Sequence, residues 1–312
     1  MARRILPPHT RDRAGRGVGA WNSCKSCWRV ELSELAEFST LAVTLAPWRS
    51  KIVFIGGWAF RLYRYESRAY KPEHKPIFTQ DADVAYAERE ALEGDIKTAL
   101  EGAGFKEEPN FAGDFKPPAM RYTMGEGAKG FYAEFLTPLT GSPMRRNKAT
   151  KQWEKDATEA KAGVVAQKLR HLEVLLYEPW TVTIPGEESG LGEAVPDLQI
   201  PNPVSFMLQK VLIRDDRIPE KRAQDVLYIH DAMLHFGNAI EDELIPIWKR
   251  LQGTMTEAQQ KSVRAGVDEL FTDVNDIIRA AVEIARPERD IDPEDMLRLC
   301  RDGFDELFGE AG

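Results

Sequence analysis

The chain has 312 residues, 43% hydrophobic and 29% charged, with a mean hydropathy of -0.41; this is enough apolar material for one large or two modest domains and excludes disorder as the default. A formal net charge of -8 and a pI near 5.4 exclude a general cationic surface for nucleic acid, because phosphate binding needs Lys and Arg to displace counterions; a local basic groove stays open. No stretch reaches the ~20 apolar residues of a membrane span and no apolar h-region opens the N-terminus, so no membrane partner is expected, and the cytoplasm is the expected compartment.

Residues 1–29 carry Arg3, Arg4, Arg11, Arg13, Arg16, Lys25 and Arg29 against one acid, Asp12, with Pro7, Pro8 and several glycines. They cannot build a core and are expected as a basic, flexible tail. Cys24 and Cys27 make a CxxC there, half of a zinc site. No second CxxC or close His pair follows and His9 cannot complete four ligands, so free thiols are expected. With Cys300 they are too few for a disulfide framework. From Glu31 the spacing of Leu32, Leu35, Phe38, Leu41, Ala42 and Leu45 predicts a helix that stops before Pro47.

Lys51 to Ile55 is a short β-branched and aromatic run, closed by Gly56-Gly57 ahead of the helical stretch WAFRLYRYES. Strand, tight turn and helix are the expected order. Such glycines permit positive φ and close approach of a ligand, although many Gly pairs at strand-to-helix turns serve packing alone. After the polar insert SRAYKPEHKP, the stretch IFTQDADVAYAE reads as a strand with Asp81 and Asp83 on one face and Ala82 and Val84 on the other. Aspartate is a poor strand former, and two on one face repel unless they meet water or a cation. The bland reading is an exposed strand end; the functional one is a seat for Mg²⁺, which takes hard oxygen ligands.

Residues 130–139, GFYAEFLTPL, predict a strand with Glu134 among apolar neighbours. If it lies beside the strand of Asp81 and Asp83, three carboxylates converge, enough for the two metals used in an in-line displacement at phosphorus. Leu172 to Ile184 reads as apolar sheet or core, and DLQIPNP as a short extended segment. Pro203 then starts a helix with an apolar stripe of Val204, Met207, Leu208, Val211 and Leu212. Lys210 lies off that stripe, which alone means a solvated basic face; beside a metal site it becomes a cation for a triphosphate, with Arg217 a second. Residues 219–236 predict an amphipathic helix with Ala223, Val226, Leu227, Met233 and Leu234 inward, in which Asp225 pairs with Lys221 or Arg222 at helical spacing. His230 is given no role. Helical stretches with acidic faces follow from Glu241 onward.

No GxxxxGK[ST], HExxH or GxSxG motif occurs, which removes the P-loop, zincin and hydrolase readings. The stretches IGGWAF, TQDADVA, EFLTPLTG and IPNPVSFMLQKVLIRDDR, in that order, resemble the nucleotidyltransferase superfamily that includes DNA polymerase β, and more closely bacterial nucleotidyltransferase-fold proteins with a GGxAF…TxDxD…EFLTP pattern. The resemblance implies an α+β fold: a mixed-sheet core over residues 30–200 and a helical domain over 201–312. It implies that Gly56 and Gly57 contact the nucleoside triphosphate, where Thr79 and the cations Lys210 and Arg217 are expected to join them. Asp81 and Asp83 bind Mg²⁺ or Mn²⁺, and Glu134 takes the third-carboxylate place.

Two features depart from the superfamily pattern. The insert lengthens the path from Gly57 to Asp81, and the third acid is Glu rather than Asp, which moves the carboxylate by ~1.5 Å. The activity implied is transfer of NMP from an NTP to a hydroxyl with release of pyrophosphate. The acceptor is RNA such as tRNA, as in the toxin branch of the superfamily, or else a protein or small molecule; the alternative is a non-catalytic nucleotide-binding or interaction protein.

Overall fold

A computed structural model describes residues 25–77, 79–110, 119–125, 130–142, 144–146, 151, 153–155 and 157–309. The expected tail, with Cys24 of its CxxC, lies outside these up to residue 24. Helix α1 (Lys25–Thr44) begins ahead of the apolar spacing and ends before Pro47 as expected. Then come β1 (Val53–Ile55), α2 (Gly56–Leu62), β2 (Asp81–Ala85), α3 (Ile96–Gly102), β3 (Lys106–Pro109), β4 (Met120–Met124) and β5 (Phe131–Pro138). They are followed by β6 (Met144–Arg146), β7 (Trp153–Lys155), β8 (Thr158–Lys161), β9 (Val164–Leu169), α4 (Leu172–Leu175), β10 (Trp180–Ile184) and β11 (Val195–Ile200). The stretch from Leu172 to Ile184, read as sheet or core, is thus one helical turn followed by a strand.

The main sheet is mixed and seven-stranded, in the order β1-β2-β5-β4-β3, with β9 beside the far end of β5 and β8 beside β9. The pairs β2–β5 and β5–β9 are parallel and the others antiparallel. Alternation gives the sheet two unlike faces. Phe54, Ala82, Val84, Ala133, Phe135 and Tyr122 enter the main core with Phe38 and Leu41 of α1, Leu45 just after it, and Ile96 and Leu100 of α3. Trp58 stacks on Phe38, ring centroids 4.1 Å apart, and meets Phe131 edge-on. On the opposite face, Val53, Ile55, Ala85 and Leu136 form a small cluster with Leu172 and Leu175 of α4. This cluster covers only the end of the face that carries Ala85 and Leu136; Asp81, Asp83 and Glu134 occupy the other end.

The C-terminal part is helical: α5 (Pro203–Leu212), α6 (Pro219–Phe236), a π-helical turn (Ile240–Leu244), α7 (Ile245–Gln252), α8 (Glu257–Phe271), α9 (Asp276–Ala285) and α10 (Pro293–Phe308). Asn202 caps α5 by accepting from the Ser205 N–H at 2.9 Å, with Pro203 in the first turn. Thr256 and Gln259 form a capping box on α8. Helix α6 is not a surface helix. Besides the expected Ala223, Val226, Leu227 and Met233, it buries Tyr228, Ile229, His230 and Phe236, while Leu234 is only half-buried. Helix α2 and the residue that ends it join the two parts, since Phe60 lies 5.0 Å from Tyr228 and Tyr63 5.6 Å from Phe206, ring centre to ring centre. No described helix is long and apolar enough to cross a membrane.

Candidate active site

The parallel register of β2 and β5 sets Asp81 opposite Tyr132 and Asp83 opposite Glu134. Paired residues in register share a face, so the acids of two separate strands stand side by side. Residue Ile55 of β1 pairs with Asp83 on the other side, which brings the Gly56-Gly57 turn onto the same acid. Gly56 has a φ of 65°, and a Cβ there would collide with Asp83 Oδ2. A Cβ on Gly57 would come within 2.7 Å of Thr79 Cγ2. The glycines are therefore fitted to the acid strand itself. The Thr79 hydroxyl donates a hydrogen bond to Asp81 Oδ1.

Asp83 is half-buried. Burial pushes its carboxyl well above the usual range, and Asp81 and Glu134 push it further, against the opposing charges of Arg217 and Lys210. It has no hydrogen-bond or ion-pair partner among the described residues. The Glu134 carboxyl is raised by burial and by Asp81, and held back by Arg121 and by a hydrogen bond from Asn110. Asn110 Nδ2 donates to Glu134 Oε1 at 2.9 Å. Burial and the three neighbouring carboxylates push the Tyr132 hydroxyl up to about 12.

Among the described residues, no three Asp, Glu, His or Cys side chains are grouped closely enough to hold a metal ion as they stand. The expected three-carboxylate seat is thus a shared face and not a preformed trio. Like charges repel, and Asp81 and Glu134 each have one oxygen engaged by Thr79 or Asn110. The donor set still suits a hard divalent cation. Its oxygens lie on one face, and Asp83 is a partly buried carboxylate lacking a counter-charge of its own.

The expected cations come from the helical part. Lys210 is not on a solvated face: it is buried, its Nζ 2.5 Å from Asp225 Oδ1 and 4.7 and 4.6 Å from the ring centres of Phe206 and Tyr228. Arg217 Nε donates to the other oxygen, Asp225 Oδ2, at 3.0 Å. Asp225 therefore does not pair with Lys221 or Arg222; it is buried and joins Lys210 to Arg217. Burial lowers the Lys210 ammonium, Asp225 opposes that shift, and both cations act on Asp83. Asn110, Arg121 and this use of Asp225 are absent from the sequence reading. The short segments flanking residues 110–120 signal a hairpin, but which polar side chain reaches Glu134 depends on register.

The family model described as Nucleotidyltransferase matches residues 38–252, more than half of the chain. The chain belongs to the nucleotidyltransferase family. The matched span of this nucleotidyltransferase contains the Gly-Gly turn, all three acids and the Lys210-Asp225-Arg217 group. A comparison with curated proteins finds none that matches. Family membership makes the chain a transferase in general terms, with an NTP as substrate.

Proposed function

We propose that the protein moves a nucleoside monophosphate from an NTP to an acceptor hydroxyl, with Asp81, Asp83 and Glu134 as its catalytic acids. The observation that carries this reading is the pairing of Asp83 with Glu134 across β2 and β5, beside a glycine turn shaped to Asp83. A Mg²⁺ or Mn²⁺ ion held by Asp81 and Asp83, with Glu134 in the third-carboxylate place beside them, would supply neutralisation of phosphate charge and a lowered pKa for the acceptor hydroxyl. Gly56 and Gly57, with no side chains, leave the backbone open to the phosphates, and Thr79 holds Asp81 in place. Lys210 and Arg217, whose charges act on Asp83, supply positive charge for the β- and γ-phosphates. Glu134, set beside Asp83 by the strand register, takes the hydroxyl proton. The bond from the acceptor oxygen to the α-phosphorus forms, the bond from that phosphorus to the β-phosphate oxygen breaks, and pyrophosphate leaves.

RNA such as tRNA is one acceptor class; a protein or small-molecule hydroxyl is the other, and the acidic net charge favours it. A second reading, nucleotide binding without transfer, draws on the ungrouped carboxylates and predicts NTP binding with no pyrophosphate released. The test is incubation of the protein with Mg²⁺ or Mn²⁺, each α-labelled NTP and cell lysate. Labelling of a macromolecule that disappears in Asp83→Asn is expected. The same variant should unfold at a higher temperature than the unsubstituted protein without metal, because it removes an unpartnered carboxylate, and should lose the stabilisation that Mn²⁺ gives. Label transfer unchanged in Asp83→Asn would sink the assignment.

A further inference from the structure

The β3–β4 hairpin reaches across to the third acid. Asn110 directly follows β3, and its backbone N–H donates to the Ala119 carbonyl at 2.8 Å, fixing the residue at the neck of the hairpin. From there its side-chain amide crosses to Glu134 on β5, bonding Oε1 at 2.9 Å. Strand β4 lies between them and places Arg121 opposite Glu134. The Arg121 guanidinium is itself held by Glu108 of β3, Nη2 to Oε2 at 3.0 Å, so it lends Glu134 charge while the amide gives direction. Glu134 Oε2 has no hydrogen-bond or ion-pair partner among the described residues.

A glutamate has one more rotatable bond than an aspartate, so its carboxylate spreads over more rotamers unless something holds it. An amide N–H can only donate, so it selects an acceptor oxygen and leaves the other free. We propose that Asn110 is a positioning residue for Glu134: by occupying Oε1 it fixes the longer acid in one rotamer and presents Oε2 to the acceptor hydroxyl. This rests on the nucleotidyltransferase reading of the three acids. The bonds made and broken are those of the transfer already given, with the hydroxyl proton passing to Oε2.

The test compares Asn110→Ala in the full chain with and without Glu134→Ala, using Mn²⁺, the labelled NTP that is incorporated, and lysate as acceptor source. In Asn110→Ala, kcat should fall by roughly ten- to a hundredfold, the worth of a hydrogen bond to an ionised group, with KM for the NTP little changed. In the Glu134→Ala background the same change should have no further effect on the residual rate. In the metal-free protein, the assigned side-chain carboxyl ¹³C resonance of Glu134 should shift in Asn110→Ala, a readout that general loss of stability would not mimic below the unfolding temperature. Equal losses in both backgrounds, or an unmoved resonance, would overturn the proposal alone. An unsubstituted protein that binds NTP but transfers nothing would overturn the transfer reading and this proposal together.

Discussion

At Gly56 the backbone, not a side chain, makes room for the chemistry. The residue has positive φ and its missing Cβ is the space that Asp83 Oδ2 fills. Alanine would meet both a strained conformation and a collision with an acid already costly to bury. Gly56→Ala should therefore lose about 1–2 kcal/mol in urea denaturation and displace Asp83, so that label transfer falls further than stability does. The sequence signals this residue as a turn glycine. Its fit to Asp83 follows only from the β1–β2 register, which sets Ile55 against Asp83.

The insert after α2 is a loop in the sequence and stays irregular in the fold, yet it is fastened at several points. Glu66 pairs with Arg68, which also reaches Glu243, and the Tyr70 N–H donates to the His235 carbonyl while its own carbonyl lies 2.7 Å from His235 Nδ1. Arg289 contacts both His74 and Asp231, and Asp231 meets His230. His230, left without a role in the sequence reading, is part of this buried network. The His74 ring accepts from Arg289 and so sits neutral; burial, then Arg289, lowers its pKa from 6.5 to about 4. An unfolded chain takes up this proton near 6.5 and the folded one near 4. Between those values the unfolded state binds more protons, so the contribution is full above 6.5 and is lost as pH falls to about 4. Thermal unfolding followed across that window should show this loss, and His74→Gln, which cannot gain the charge, should flatten it. An identical pH slope in the variant would remove His74 from the account.

Across the whole molecule, the proposed acids come from the sheet and the proposed cations from the helical part, which act on each other through charge at Asp83. Asp225 holds both cations. Asp225→Ala leaves Lys210 buried without its counter-charge and should cost about 3–5 kcal/mol in urea denaturation. Adding Lys210→Met should recover most of that stability, since an apolar side chain of similar length fits beside Phe206 and Tyr228, yet filter binding of NTP should stay weak. Recovery of both stability and binding would dismiss Lys210 as a phosphate cation. By itself the sequence determined the strand before and the helix at Gly56-Gly57, the shared face of Asp81 and Asp83, the strand of Glu134 and the helix that Pro203 starts, because each follows from local periodicity and backbone preference. Only the tertiary structure decided that Asp83 faces Glu134, that Lys210 is buried with Asp225, and that Asn110 bonds Glu134. Those are contacts between distant segments, set by strand register and helix packing, which no local pattern encodes.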